Sequence, residues 1–273
     1  MEFLLEPLEY EFFRRGLLAA LLVGASGGLI GVYVVLRGMS YVGHGLSHAA
    51  IGGAIVGFTL NLNFYAGACV MGLLATLVIN KITKNNKIKL DAAIGIVTTA
   101  MFALGVAIVS KLRNFKQNFE AALFGNILGI TEQDLMMIGL ITVITLVTMF
   151  LAYRALLFST FDNEAARIFG IKTESVQLLF SLLLTLSVIA SLNVIGVTMV
   201  AATLIAPAMT ARMLTDSFSK MILYSTFIGA ITGVIGMYLS YIFNIASGTT
   251  IVLFSALLFS LSLLAKPLRN LYL

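Results

Sequence analysis

Charged side chains are scarce in this sequence. Asp, Glu, Lys and Arg make up 11% of the 273 residues, whereas soluble domains carry about 25%. Hydrophobic residues account for 60% and the mean hydropathy is +1.04, so a soluble domain is excluded. Cysteine is almost missing as well. The single Cys69 rules out an internal disulfide, and the sequence therefore carries no information on the redox compartment.

Two signatures of catalysis are also missing. No GxxxxGK[ST] phosphate-binding loop occurs, so any ATP hydrolysis that drives this protein must take place in another polypeptide. Every Asp and Glu falls in a loop or at the end of an apolar segment, which argues against an intramembrane aspartyl protease. Ser47 and His48 are adjacent, but neighbours on a helix do not face each other, which disfavours a nucleophile–base pair.

Several apolar segments approach the ~20 residues that a membrane-spanning helix needs. We therefore predict an all-α, polytopic membrane bundle that forms one domain over residues 1–273. The second and seventh segments are the shortest and richest in small residues, so eight or nine transmembrane segments are expected. The nine segments lie at 14–36, 44–61, 64–82, 91–110, 134–156, 175–194, 196–213, 219–243 and 249–265.

The ends of the segments suggest how the chain sits in a membrane. Residues 1–13 are predicted to lie in the interface, with an apolar side that includes Phe3, Leu4, Leu8 and Phe12. With nine crossings and the N-terminus outside, 12 of the 17 Lys and Arg residues are cytoplasmic, as the positive-inside rule requires.

Glycines recur at a spacing of four within several segments. This small-xxx-small pattern lets helix backbones approach closely in lipid, and we expect it to mark tight contacts within one bundle. The pairs are Gly24 and Gly28, Gly27 and Gly31, Gly53 and Gly57, and Gly229 and Gly233.

Residues 158–172 are predicted to form a cytoplasmic loop with a short helix. Asp162 can cap its N-terminus, and Gly170 stands where a C-terminal glycine cap belongs. Apolar residues between them give the helix one apolar face. Such a helix either docks a partner or lies in the membrane interface.

Both histidines of the protein fall in Gly38–Gly57, a stretch rich in glycine and alanine. His44 and His48 are four residues apart, which on a helix places their Cβ atoms roughly 5–6 Å apart on one face. Imidazole suits zinc, iron and copper and binds manganese less strongly. Ser47, backbone carbonyls, water or a second copy of the chain could supply further ligands. Alternatively, the two histidines only hydrogen-bond neighbouring helices.

Six segments together resemble the membrane permease subunit of the ABC transporters that import manganese, zinc or iron. The resemblance extends over nearly the whole chain. Its segments are FFRRGLLAALLVG, VVLRGMSYVGHGLSHAAIGGAIVG, DAAIGIVTTAMFALGVAI, LFGNILGITEQDL, FDNEAARIFGI and ATLIAPAMTAR.

The resemblance implies partners and site residues. Such permeases work as homodimers, with two ATP-binding cassette ATPase subunits below and a metal-binding solute-binding protein outside. The family's metal-interacting aspartate and histidine fall on His44 and His48, so His44 is a departure that shifts the ligand preference from manganese towards zinc or iron. The segment that would engage the ATPase has its contacts at Phe161, Asp162, Glu164, Arg167, Ile168 and Gly170.

We therefore expect a multi-pass permease of the bacterial plasma (inner) membrane that passes zinc or manganese, possibly iron, to the cytoplasm. No permanently bound cofactor and no nucleic-acid partner are expected. An ion-coupled secondary transporter acting alone would need inverted repeats and titratable groups at mid-membrane. A membrane enzyme using a histidine-bound metal would need a third protein ligand and a carboxylate base.

Overall fold

The computed structural model describes residues 5–84, 88–112, 124, 125 and 127–270, with side chains except at 128 and 266–270. Within these ranges the protein is all-α. Two short 3₁₀ turns, Glu6–Glu9 and Ile127–Gly129, accompany the α-helices. The α-helices are α1 (Glu11–Leu36), α2 (Val42–Thr59), α3 (Phe64–Thr83), α4 (Leu90–Leu112), α5 (Glu132–Leu151), α6 (Tyr153–Phe161), α7 (Asn163–Ile168), α8 (Thr173–Ile195), α9 (Val200–Leu214), α10 (Phe218–Phe243) and α11 (Ser247–Asn270).

Seven of these helices are long and apolar enough to cross a membrane: α1, α3, α4, α5, α8, α10 and α11. The multi-pass helical class is thereby confirmed. The other two predicted segments form α2 and α9, which are also the two shortest of the nine corresponding helices in the described chain. The total of eight or nine membrane crossings therefore stays a prediction.

The fifth predicted segment, 134–156, is not one helix. It breaks at Ala152, whose amide donates to the carbonyls of Thr148 and Phe150 and so closes α5. A separate helix, α6, then runs on to Phe161. The apolar pattern continues through the break, so hydropathy could not reveal it.

The predicted glycine contacts are confirmed at the closest helix crossings. Gly24 of α1 lies against the carbonyl of Gly229 in α10, and neither position has room for a Cβ. One turn later, the Ser225 hydroxyl donates to the Gly28 carbonyl at 2.5 Å. Glycine is needed here because the two backbones are in direct contact.

Two sets of polar contacts mark the two ends of the bundle. At one end, Lys84 after α3 pairs with Glu174 in the first turn of α8, with 2.9 Å between nitrogen and oxygen. At the other, the Asn193 amide donates to the Tyr65 hydroxyl and the Asp134 carboxylate, at 3.1 and 3.3 Å. The first end carries the loops predicted to be cytoplasmic, and we name it the inner end.

The N-terminal segment partly leaves the bundle. Leu5 and Tyr10 are exposed, whereas Phe13 is fully buried against α10 residues. Phe3 and Leu4 lie outside the described residues. The interfacial location of residues 1–13 stays a prediction.

Candidate metal site and docking helix

His44 and His48 lie on one face of α2, as the sequence predicts. Their ring centroids are 4.7 Å apart and the ring planes are nearly perpendicular, at 82°. His44 is exposed and His48 is half-buried. Both line a pocket of about 440 Å³ between α2 and α4. The lining residues are Tyr41, His44, Gly45, His48, Asp91, Ile94, Gly95, Thr98, Thr99 and Phe102.

The pocket extends along α4. Asp91 lies in the first turn of that helix, and Gly45 packs against Ile94, one turn further on. The His48 ring meets the Phe102 ring edge to face, with 5.5 Å between centroids. Asp91 and Phe102 are eleven residues apart, which on a helix is a rise of about 16 Å. The pocket wall therefore runs along α4 from Asp91, at the inner end of the bundle, to Phe102 beside His48, and it is open to the outside at His44, Gly95 and Thr99.

Glycines hold α2 against both neighbouring helices. Gly105 of α4 lies against the Gly52 carbonyl and has no room for a Cβ, and Gly53 lies against Gly67 of α3 with no room for a Cβ on either residue. Consecutive positions on a helix point in different directions, so each glycine serves a different neighbour. The two contacts fix the rotation of α2 and thus the direction in which both imidazoles point.

Ser47 does not reach the pocket. It is fully buried, and its hydroxyl is shared between the carbonyl oxygens of His44 and Val197, at 2.8 and 3.1 Å. Val197 follows the end of α8 opposite to the inner end. This bond ties the histidine turn of α2 to the connection that follows α8.

The pair alone is a two-ligand site. In the described part of the chain, no three His, Cys, Asp or Glu residues lie close enough together to hold a metal ion. Water, backbone carbonyls or another copy of the chain would have to complete the coordination, as the sequence predicts. Two neutral imidazoles bind a divalent cation weakly, which is the property a transport site needs because the ion must leave again.

The capping prediction for the loop helix is confirmed. The Asp162 carboxylate accepts hydrogen bonds from the amides of Glu164 and Ala165, both at 2.9 Å. Gly170 has a φ of +78°, and its amide donates to the Arg167 carbonyl at 2.9 Å. This left-handed residue ends α7 as a glycine cap should.

Most of the apolar surface around α7 is exposed. Phe161, Ile168 and Phe169 expose 62%, 85% and 72% of their surface, while Ala166 is buried. We name these three exposed residues the apolar cluster. The Arg167 side chain is held in place, because its Nε donates a hydrogen bond to the Thr173 hydroxyl at 3.1 Å. That bond ties α7 to the start of α8.

Beside this loop lies a half-buried cation, Arg37, that the sequence did not reveal. The Arg37 guanidinium donates to the Thr160 hydroxyl at 3.0 Å, the Gln177 amide oxygen at 2.7 Å and the Ser159 hydroxyl at 3.0 Å. No carboxylate pairs with it among the described residues. Burial lowers the pKa of Arg37 to about 10, so the group stays charged at neutral pH.

A family profile described as the ABC 3 transport family matches residues 9–266. The chain belongs to the ABC 3 transport family. It is 37% identical over 271 residues to the manganese transport system membrane protein MntC of Listeria monocytogenes, with 99% of this chain and 96% of MntC covered. A probable iron transport system membrane protein of Haemophilus influenzae is 33% identical, with 98% of each chain covered. The solved structure of PsaBC from Streptococcus pneumoniae in complex with Fab matches with a TM-score of 0.85 and 34% identity, over 96% of this chain and 94% of that one.

Membership of the ABC 3 transport family confirms the resemblance seen in the sequence. Together with the seven apolar helices, it makes this a multi-pass protein of the bacterial inner membrane. An ABC 3 protein is a transport subunit, which counts against the membrane-enzyme hypothesis. It also disfavours the ion-coupled transporter acting alone, because ABC transport is driven by ATP.

Proposed function

We propose that this ABC 3 permease imports divalent transition-metal ions, with Mn²⁺ as the first cargo to test and Zn²⁺ and Fe²⁺ as competitors. The observation that carries the proposal is the His44–His48 pair, whose rings are 4.7 Å apart on a pocket wall. A relative named for manganese transport supports that cargo, and a relative named for iron keeps the second open.

The chemistry of the pair allows several cargoes. Imidazole suits zinc and iron, whereas manganese prefers oxygen ligands. Water in the open pocket would supply oxygen ligands for Mn²⁺. The cargo therefore has to be decided by competition between ions and not by the histidines alone.

In this proposal a second copy of the chain packs against the open side of the pocket. His44 and Asp91 are exposed, and so are Ile96 and Leu104 further along α4. A homodimer built on this face would enclose the histidine pair between two chains. The partner copy would then bring its own pair to the same space and strengthen a site that is weak in one chain.

The energy would come from a separate ATP-binding cassette ATPase. Its docking surface in this proposal is the apolar cluster, because large exposed apolar residues at the inner end favour contact with a protein partner. ATP binding and hydrolysis would switch the permease between outward- and inward-facing states. A metal-binding solute-binding protein would deliver the ion at the opposite end.

Uptake of Mn²⁺ by vesicles that contain the complete transporter tests the proposal. His48→Ala should abolish uptake while the complex still assembles, since the substitution removes one of two ligands. Asn80→Ala is a suitable control, because Asn80 is half-buried in α3 and its amide donates to a helix carbonyl outside the pocket. Undiminished uptake by His48→Ala would remove the pair from the ion's path. Competition by Zn²⁺ and Fe²⁺ in the same vesicles would rank the cargoes.

A further inference from the structure

Asp91 is the single carboxylate among the described residues that line the histidine pocket. It lies in the first turn of α4 and is exposed. The two ion pairs found in the described residues are Arg15–Glu11 and Lys84–Glu174, so Asp91 is not neutralised by a neighbouring cation there. A pocket carboxylate that has no ion-pair partner within the described ranges is available to a mobile cation.

Asp91 does not share an ion with the histidine pair. The described residues contain no group of three ligands that could hold one metal ion, and the pocket separates His48 from Asp91 by several helical turns. The wall between them is open at Gly95, where a Cβ would meet nothing within 4 Å. No side chain at position 95 therefore stands between the imidazoles and the carboxylate.

The two ends of the pocket differ in charge and in ligand type. The histidines are neutral borderline ligands, whereas a carboxylate carries a negative charge and suits the harder ion Mn²⁺. Ligand softness is one of the properties by which proteins select among first-row metals. By ligand type, the histidine pair suits several ions, whereas the Asp91 carboxylate suits Mn²⁺ better than Zn²⁺.

We propose that Asp91 is the exit carboxylate of the pocket, which accepts the divalent cation from the histidine pair and favours Mn²⁺ over Zn²⁺ in its release to the cytoplasm. This proposal rests on the proposed function. No covalent bond forms or breaks: the ion exchanges imidazole and water ligands for carboxylate and water ligands. Asp91 is in this sense a specificity-determining residue of the transport step.

The test compares Asp91→Asn with Glu132→Gln in the complete transporter. Both substitutions remove one negative charge from the first turn of an apolar helix, but Glu132 is at the opposite end and away from the pocket. Asp91→Asn should lower Mn²⁺ uptake by about tenfold or more and reduce the Mn²⁺-to-Zn²⁺ uptake ratio by a similar factor, as loss of a group acting on a metal commonly does. Asp91→Glu should restore most of the ratio.

Equilibrium binding of Mn²⁺ to the purified permease distinguishes a role of Asp91 in ion release from a role in ion binding at the histidines. Asp91→Asn should bind Mn²⁺ within about twofold of wild type, since distant sites act independently, whereas His48→Ala should not bind. Unchanged uptake and ratio in Asp91→Asn, with His48→Ala inactive, would overturn the inference and leave the proposed function intact. Equal loss of both metals together with lost binding would also overturn it, because Asp91 would then be structural or a ligand of the ion while that ion is bound to the histidines. Full uptake by His48→Ala would be a failure of the proposed function itself.

Discussion

The Arg37 guanidinium lies over the Phe180 ring, with its central carbon 4.4 Å from the ring centroid. Its three hydrogen bonds reach α6 and α8, while Arg37 itself ends α1, just before the chain turns into the pocket helix α2. One residue therefore connects the helix that carries the histidines with the segment that leads to the apolar cluster.

Arg37→Gln should lower the stability of the permease. The substitution removes a charged donor from three partners, and hydrogen bonds to charged groups are worth about 1.5–3 kcal/mol each. We expect a net loss of about 2 kcal/mol and a fall in melting temperature of roughly 4–8 °C. Thermal unfolding in detergent, followed by the reaction of Cys69 with a thiol dye, measures it. Arg212→Gln, an exposed arginine in the last turn of α9, should melt like wild type.

Arg37→Lys should recover only part of the loss. Lysine keeps the charge but lacks the planar fork that serves three acceptors at once. A melting temperature of Arg37→Lys equal to that of wild type would mean that charge alone matters and that the hydrogen-bond geometry does not.

Glutamate at both Phe161 and Ile168 should weaken binding of the ATPase subunit by about tenfold or more, the cost of losing an exposed apolar anchor. The affinity of the purified permease for the ATPase in detergent measures the effect. Phe243→Glu is the matched control, because Phe243 is a similarly exposed phenylalanine at the other end of the bundle. Binding at wild-type strength by the double variant would contradict the docking role.

Gly95→Leu should block uptake without destabilising the protein. The new side chain would enter open space in the pocket, and replacing a helical glycine by leucine is favourable by up to about 1 kcal/mol. Gly139→Leu is the control, since a Cβ there also meets nothing within 4 Å but Gly139 lies outside the pocket. Mn²⁺ uptake and melting temperature should be read together. Normal uptake by Gly95→Leu would show that the ion does not pass along α4.

Gly24→Ala should destabilise the bundle by about 1–3 kcal/mol, the usual cost of overpacking. The added methyl would collide with the Gly229 carbonyl, and a backbone atom cannot turn aside as a side chain can. Gly139→Ala should show no such loss in the same melting assay. If both variants melt alike, α1 and α10 are not in direct backbone contact.

Local patterns in the sequence were sufficient to predict most helices and the caps of α7. Continuous apolar segments predict spans because a bilayer demands them, and Asp162 and Gly170 predict the ends of α7 because their chemistry is local. The break at Ala152 was missed, since both sides of it are equally apolar. Glycine spacing predicts close approach, but only the structure pairs Gly53 with Gly67.

The pocket was only half predictable. Helical spacing places His44 and His48 on one face, but Ser47 points to Val197, a partner 150 positions away that no local pattern reveals. Asp91 was set aside as the end of a segment. A signal existed nonetheless: Asp91, Gly95 and Thr99 follow one another at intervals of four, a polar and small stripe along an otherwise apolar helix.

The hydrogen bond from Ser47 to Val197 has a mechanical consequence. It joins the second turn of α2 to the connection between α8 and α9, so a displacement of that connection also shifts the backbone that bears both imidazoles. A rearrangement of the α8–α9 connection would therefore be transmitted to the turn that carries both imidazoles, without passing through the docking helix α7.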